Sequence, residues 1–428
     1  MVINRLAVPL HYFSEVLMKK HLHIIFAIIF AISLTACGLP TGSGDNPTSA
    51  TEPTSSGDQV ATVVASTMQA LTPSSPDSPT SQPAGLLPHS LYFVNNDNAG
   101  IAQVFRLEAD GKTTTQITFE PSAVSSYDVS QVDGSVVYVS NNQVLLINAD
   151  GSNRRMLIDG GAIDENNPFV SRVSNPVFSP NAQTIAYGYK GLNLYAVASG
   201  VNNLVIENQI KDSGGGFLFP EELYSPNKYS PDGTKLLITL GYYEGASSAI
   251  YYPAANSLVR LTNDAGAHIC CNEVGWTFDS STLYSASSTI GMIQSGMWRV
   301  DASSGLVTTL ISSNYETSSY QYAYAPYLAP DGQLYFFFHT ANTEFNARTP
   351  LQLVRSDADG VTNRTILLPE TFQLMNEALW APDASFVIAA IAPSDQIYQG
   401  GALELFYTHA EAGFITLAPF GQQLKWGP

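Results

Sequence analysis

The amino-acid sequence predicts an all-β protein: a seven-bladed β-propeller of four-stranded antiparallel blades, its ring closed by the C-terminal strand. Three observations carry this. A turn motif recurs about every fifty residues from residue 88 to the end, and repeats of that length mark solenoids and propellers. Each recurrence is followed by a second hairpin. The composition, with 22 Tyr, 20 Phe, 32 Gly and 25 Pro among 428 residues and only 13% charged, suits pleated sheets and turns rather than helices.

Hydrophobic residues make up 45% of the chain, enough for a core and too much for an intrinsically disordered protein. The charge is unbalanced, with 18 Lys+Arg against 36 Asp+Glu. Arg5, Lys19, Lys20 and Glu15 fall in the first 36 residues, so the remainder carries 15 bases and 35 acids. Such a surface repels phosphate backbones, which excludes nucleic acid as an expected partner. Its one basic doublet, Arg154-Arg155, lies between Asp150 and Asp159.

Residues 1–36 read as a signal peptide whose start is Met18. Met18-Lys19-Lys20 is a basic head, and an apolar stretch follows it up to Cys37. That stretch is too short and too abruptly ended for a spanning helix. Leu34-Thr35-Ala36-Cys37 resembles a bacterial lipobox. The resemblance implies cleavage before Cys37 and a lipid on its thiol, hence a membrane partner and an extracytoplasmic face of the cell envelope. Residues 37–87 are then the lipidated cysteine and its tether. Of the 50 residues after Cys37, 29 are Ser, Thr, Pro or Gly, and such a segment lacks the apolar surface to fold.

Residues 88–428 hold the repeat. Its clearest copy is Tyr229-Ser230-Pro231-Asp232-Gly233 before an apolar strand. Others are Phe178-Ser179-Pro180-Asn181, Trp276-Thr277-Phe278-Asp279, Leu328-Ala329-Pro330-Asp331 and Trp380-Ala381-Pro382-Asp383, with a weaker one at Val132-Asp133-Gly134. Each predicts strand, turn, strand. Second hairpins follow near 105–118, 145–158, 193–206, 249–262, 297–310, 351–368 and 403–417, three of them turning on Asp110-Gly111, Asp150-Gly151 and Asp359-Gly360. Leu91-Tyr92-Phe93-Val94 is a second strand lacking its first. Leu424-Lys425-Trp426-Gly427-Pro428 resembles Trp380-Ala381-Pro382, so it supplies that missing strand and removes the open edges.

The aromatic-Ser-Pro-Asp-Gly turns resemble those of TolB-type, WD-repeat-like propellers, also seen in dipeptidyl-peptidase IV and prolyl oligopeptidase relatives. The resemblance covers residues 90–428 and implies the fold; such propellers serve many functions. The sequence differs from TolB in having seven units rather than six and no N-terminal domain. It stops where the peptidases' hydrolase domain would follow.

Catalytic signatures are missing: there is no G-x-S-x-G elbow, Walker loop, H-E-x-x-H or sialidase Asp box. His89, His268, His339 and His409 sit in different repeats and read as surface or loop residues, so neither a metal nor a cofactor is expected. Cys270 and Cys271 are adjacent. Their Cα atoms are about 3.8 Å apart across a trans peptide, below the roughly 4.4–6.8 Å of ordinary disulfides. A vicinal disulfide, two reduced thiols, or a metal or redox site with His268 all fit the sequence.

The short Asp-Gly turns belong to one face of the ring. The other carries long connections, including 159–172, 207–223, 263–272, 339–349 and 392–401, with Tyr242, Tyr243 and Tyr398 among their residues. Aligning the first strands on Trp276 and Trp380 puts Glu273 and Glu377 at one position, where the other repeats have Tyr127, Asn175, Pro226, Ala325 and Gln423. First strands line a propeller's channel, so these residues are expected to ring its mouth. There the two carboxylates hold a ligand, stand as solvated rim residues, or cap backbone amides. The expected function is a monomeric, lipid-anchored module binding a protein, peptide or glycan. The alternative is a propeller lyase or hydrolase acting at the channel mouth.

Overall fold

The computed structural model describes residues 85–428 except 215, 217, 263–265, 271, 289–293, 315, 344–347 and 410–412. The expected signal peptide, Cys37 with its lipid, most of the tether and Cys271 lie outside the described residues. Among those described, no helix is long and apolar enough to cross a membrane. Leu87, placed in the tether by sequence, is 3% exposed and packs among Leu91, Phe93 and Leu107. The folded unit therefore starts slightly earlier than expected.

The fold is an all-β propeller. Five sheets run outward in chain order from the strands Val124–Val129, Ser174–Phe178, Leu218–Tyr229, Val274–Trp276 and Tyr320–Leu328. The sixth has seven strands because Ile415–Trp426 belongs to two units. Its first half pairs with Gly401–Tyr407 (Leu403 opposite Ala418), and its second half pairs with Leu91–Asn96 (Leu91 opposite Trp426, Tyr92 opposite Lys425). Dividing that strand leaves seven sets of four strands, with Gln209–Asp212 as an addition.

Each second strand is sandwiched between neighbouring sheets, so it is buried on both faces and loses the polar alternation of a half-exposed strand. Val136–Ser140 is buried throughout, and Phe386–Ile391 nearly so. The turn motif is explained by its hydrogen bonds. Ser230 N–H closes on Lys235 C=O, and the Asp232 carboxylate accepts from the Ser230 hydroxyl and the Thr234 N–H. Asp279 takes the Thr277 hydroxyl and Ser281 N–H in the same way. The repeated acid is thus committed to holding its own turn.

Tryptophan joins adjacent units. The indole N–H of Trp276 donates to Lys228 C=O at 3.4 Å, that of Trp380 to Ala325 C=O at 2.8 Å, and that of Trp426 to Trp380 C=O at 2.7 Å. Two expectations about connections need correction. Segment 207–223 is no loop, because Gln209–Asp212 pairs with the extended front of Leu218–Tyr229. His339 lies in the strand Leu334–Ala341.

Removing Leu424–Pro428 strips Leu91–Asn96 of its inner neighbour and opens a sheet edge at the axis. The truncated protein is expected to melt far below the full-length one; superimposable melts would contradict this closure. Trp426 is only partly buried. Trp426→Ala should therefore cost about 2–3 kcal/mol, short of the roughly 3–5 of a fully buried aromatic, read from chemical denaturation.

Candidate ligand cavity on the propeller axis

The inner strands end at equivalent residues: Val129, Phe178, Tyr229, Trp276, Leu328 and Trp380, each followed by the closing turn, and Trp426, after which the Gly427 N–H bonds Ser90 C=O. Ser130 N–H bonds Ser135 C=O as Ser230 N–H bonds Lys235 C=O, which fixes Val129 as the counterpart of Tyr229. Three residues upstream stand Ser126, Asn175, Pro226, Glu273, Ala325, Glu377 and Gln423. The sequence alignment had put Tyr127 in place of Ser126, because the Ser130 turn has one residue more before its aspartate.

A register shift marks the strands at this level, between Val124 and Ser126, Ser174 and Val177, Pro226 and Lys228, Tyr324 and Tyr327, and Met375 and Glu377. Asn175, Ala325 and Gln423 adopt positive φ of 47°, 48° and 56°. Bulges of this kind bend a strand and re-aim its side chains.

A cavity of about 490 Å³ opens here. Six of the seven strand sets contribute to its wall, all but the one containing Tyr320–Leu328, and only the axis is common to so many. Of the residues singled out by sequence, it brings together Tyr127, Asn175, Glu273, Glu377, Tyr398 and Gln423. Tyr242 and Tyr243 lie elsewhere. The Tyr242 hydroxyl is 3.4 Å from Glu222 Oε1, and Tyr243 stacks on Phe219 at 4.9 Å. The strand formed by part of 207–223 accounts for this displacement.

The two glutamates differ. Glu377 accepts the Gln423 N–H on Oε2 at 2.6 Å and the Leu424 N–H on Oε1. It clamps the strand that closes the ring, which is the amide-capping role. Burial pushes its carboxyl up, with the Glu273 carboxylate adding to the effect. The two amides and Lys425 oppose them, and the balance stands at about 7. Glu273 is exposed to the cavity, and among the described residues its carboxylate makes no hydrogen bond or ion pair. Tyr127 donates to Gln423 C=O at 2.6 Å, and Tyr324 to Asn376 C=O at 3.0 Å. Burial first, then nearby carboxylates, hold both phenols well above their ordinary value, so both remain donors.

Sequence reasoning missed a second ring, one residue before the aligned aromatics. It holds Asp128, Lys228 and Lys425. Lys425 pairs with Asp128 at 2.9 Å, and the other Asp128 oxygen accepts Phe178 N–H at 2.7 Å. Lys228 is exposed to solvent although crowded by protein atoms, as a residue on a channel wall is. Among the described residues its Nζ reaches only Val274 C=O, at 3.3 Å, and crowding by protein lowers its pKa against the pull of Glu273. The alignment that found the glutamates, shifted by two positions, would have found these lysines.

Beside the mouth, the helix Gly266–Cys270 leads into Glu273. Cys270 is disulfide-bonded. His268 stacks on Trp298 at 4.6 Å and 3°, and burial lowers its pKa.

Glu377 makes stability depend on pH. The unfolded carboxyl releases its proton near 4.5 and the folded one near 7. Between those values the fold retains a proton that the unfolded chain has lost, so this group's contribution to stability falls as pH rises and then levels. Glu377→Gln should flatten that fall, measured as melting temperature from pH 4.5 to 8. It also leaves one of the two amides facing an NH₂, costing about 1–3 kcal/mol. An unchanged pH profile in the variant would show that another group titrates.

No family model and no curated protein sequence matches the chain. Among solved structures it is similar to a putative TolB from Agrobacterium tumefaciens, at 17% identity over 72% of this chain and 99% of that one, TM-score 0.40. It is also similar to an oligogalacturonate lyase in complex with manganese, at 10% identity over 74% and 81%, TM-score 0.47. A prolyl endopeptidase matches at 12% identity over 79% of this chain, TM-score 0.50, and the match spans 48% of that protein's length. The sheet pairing shows the fold of the described residues in 85–428 to be a β-propeller, and the likeness to the prolyl endopeptidase is likewise one of fold.

Proposed function

We propose that the propeller is the binding module of a lipid-anchored, extracytoplasmic protein, with its ligand entering the axial cavity from the long-loop face. The observation that carries this reading is the convergence of six strand sets on one polar cavity in which, among the described residues, the Glu273 carboxylate makes no hydrogen bond or ion pair. Concave sites with a few convergent polar groups on a rigid scaffold are where recognition concentrates. The lipobox-like segment and the Ser/Thr/Pro/Gly tether support placement at the envelope.

Two measurements test the proposal. Cys37→Ser should move the protein from the membrane fraction to the soluble one; unchanged fractionation would sink the lipid anchor. In a thermal-shift panel of cell-wall glycan fragments and short peptides, at least one compound should raise the melting temperature of the native protein. The same compound should raise that of Glu273→Gln much less. An equal rise in both proteins would place binding outside the cavity.

A further inference from the structure

The chemistry of the cavity wall narrows the ligand class, on the premise that the axial cavity is the binding site. Among the described residues, the side-chain amides of Asn227, Gln399 and Gln422 line this cavity without a hydrogen bond. An amide offers a donor and an acceptor side by side, which is the pattern a hydroxyl group requires. The free Glu273 carboxylate accepts from two hydroxyls at once.

At the rim, Tyr398 is 68% exposed. The backbone on either side of it is held. Asn376 Nδ2 donates to Ile397 C=O at 3.2 Å and to Gly400 C=O at 2.6 Å, pinning the segment on both sides of the ring. The Arg348 guanidinium donates to the same Ile397 C=O and lies 5.0 Å from the ring centroid, covering one face. The other face is a rigid aromatic platform beside free amides, and ordering it on binding costs little entropy. A pyranose matches this arrangement, with C–H groups on one face for the ring and hydroxyls around its edge.

A peptide terminus fits less well. It brings a single charge to a wall that carries both signs, in Glu273 and Lys425. The backbone amides at Gln423 and Leu424, which an extended peptide would need, are already taken by Glu377.

We propose that the cavity receives the end of an uncharged glycan, one sugar stacked on Tyr398 and the next hydrogen-bonded among Gln422, Asn227 and Glu273. The test is calorimetric titration of the purified protein with neutral tetrasaccharides (cello-, malto- and chito-series) and, in parallel, with an uncharged-side-chain tetrapeptide. At least one tetrasaccharide should bind. Tyr398→Ala should weaken it about tenfold, the order of one lost aromatic contact, with the melting temperature unchanged. Gln422→Ala should weaken it less. Sugar binding that survives Tyr398→Ala undiminished would overturn the proposed placement. Binding of the tetrapeptide alone, lost in Glu273→Gln, would overturn the glycan class while leaving the axial cavity as the site. If neither class binds, both readings fall.

Discussion

The structure depends on one strand serving two sheets. Ile415–Trp426 finishes one unit and begins another, so residues more than 300 positions apart in sequence must meet in register before the ring exists. Local hairpins supply none of that specificity. It comes from the atoms at the joint: the Glu377 carboxylate on two consecutive amides of that strand, the Tyr127 hydroxyl on Gln423 C=O, and the Trp426 indole on Trp380 C=O. All lie at the axis. Closure and the cavity wall therefore share residues, and a substitution chosen to probe one can disturb the other. Glu273 makes no hydrogen bond to the closing strand among the described residues and acts on closure only through its charge beside Glu377.

The left-handed residues of the inner strands fit the same account. A non-glycine residue at positive φ carries a strain of order 1–3 kcal/mol unless its surroundings over-determine it. At Ala325 the carbonyl accepts the Trp380 indole; at Gln423 the carbonyl accepts Tyr127 and the N–H is held by Glu377. The bulged conformation aims these backbone groups across the gap between units, where apolar packing cannot fix register. The interfaces between sheets are filled by clusters such as Tyr322, Phe337, Leu353, Trp380 and Val387. This leaves the axis as the place where polar side chains collect.

Much of the architecture was legible in the sequence because propellers repeat. Seven copies of one hairpin pattern average out the ambiguity of any single copy, and the unpaired strand at Leu91 required a partner that the tail at Leu424 resembled. The axial position of Glu273 and Glu377 was legible for the same reason. What escaped was whatever differs between copies. The aspartate of the Ser130 turn sits one position later than in the other copies, although the turn closes over the same span, and this shifted Tyr127 by a position. The stretch 207–223 looked like a loop because the run Gly214-Gly215-Gly216 and its mixed polarity hide a two-strand extension. Lys228 and Lys425 went unnoticed because a lysine beside an aromatic reads as surface, and only ring geometry turns that position inward. The division of labour between the glutamates was not legible at all, since it depends on which backbone amides arrive opposite each carboxylate.

The indole contacts also make the molecule its own optical instrument. The chain has four tryptophans. Three of them, Trp276, Trp380 and Trp426, close inner strands next to the cavity, and the fourth, Trp298, lies flat against His268 on the helix that leads into its wall. Intrinsic emission therefore comes mainly from the ends of inner strands, with Trp298 reporting from the third strand of its set. Events at the inner strands are recorded without any introduced label.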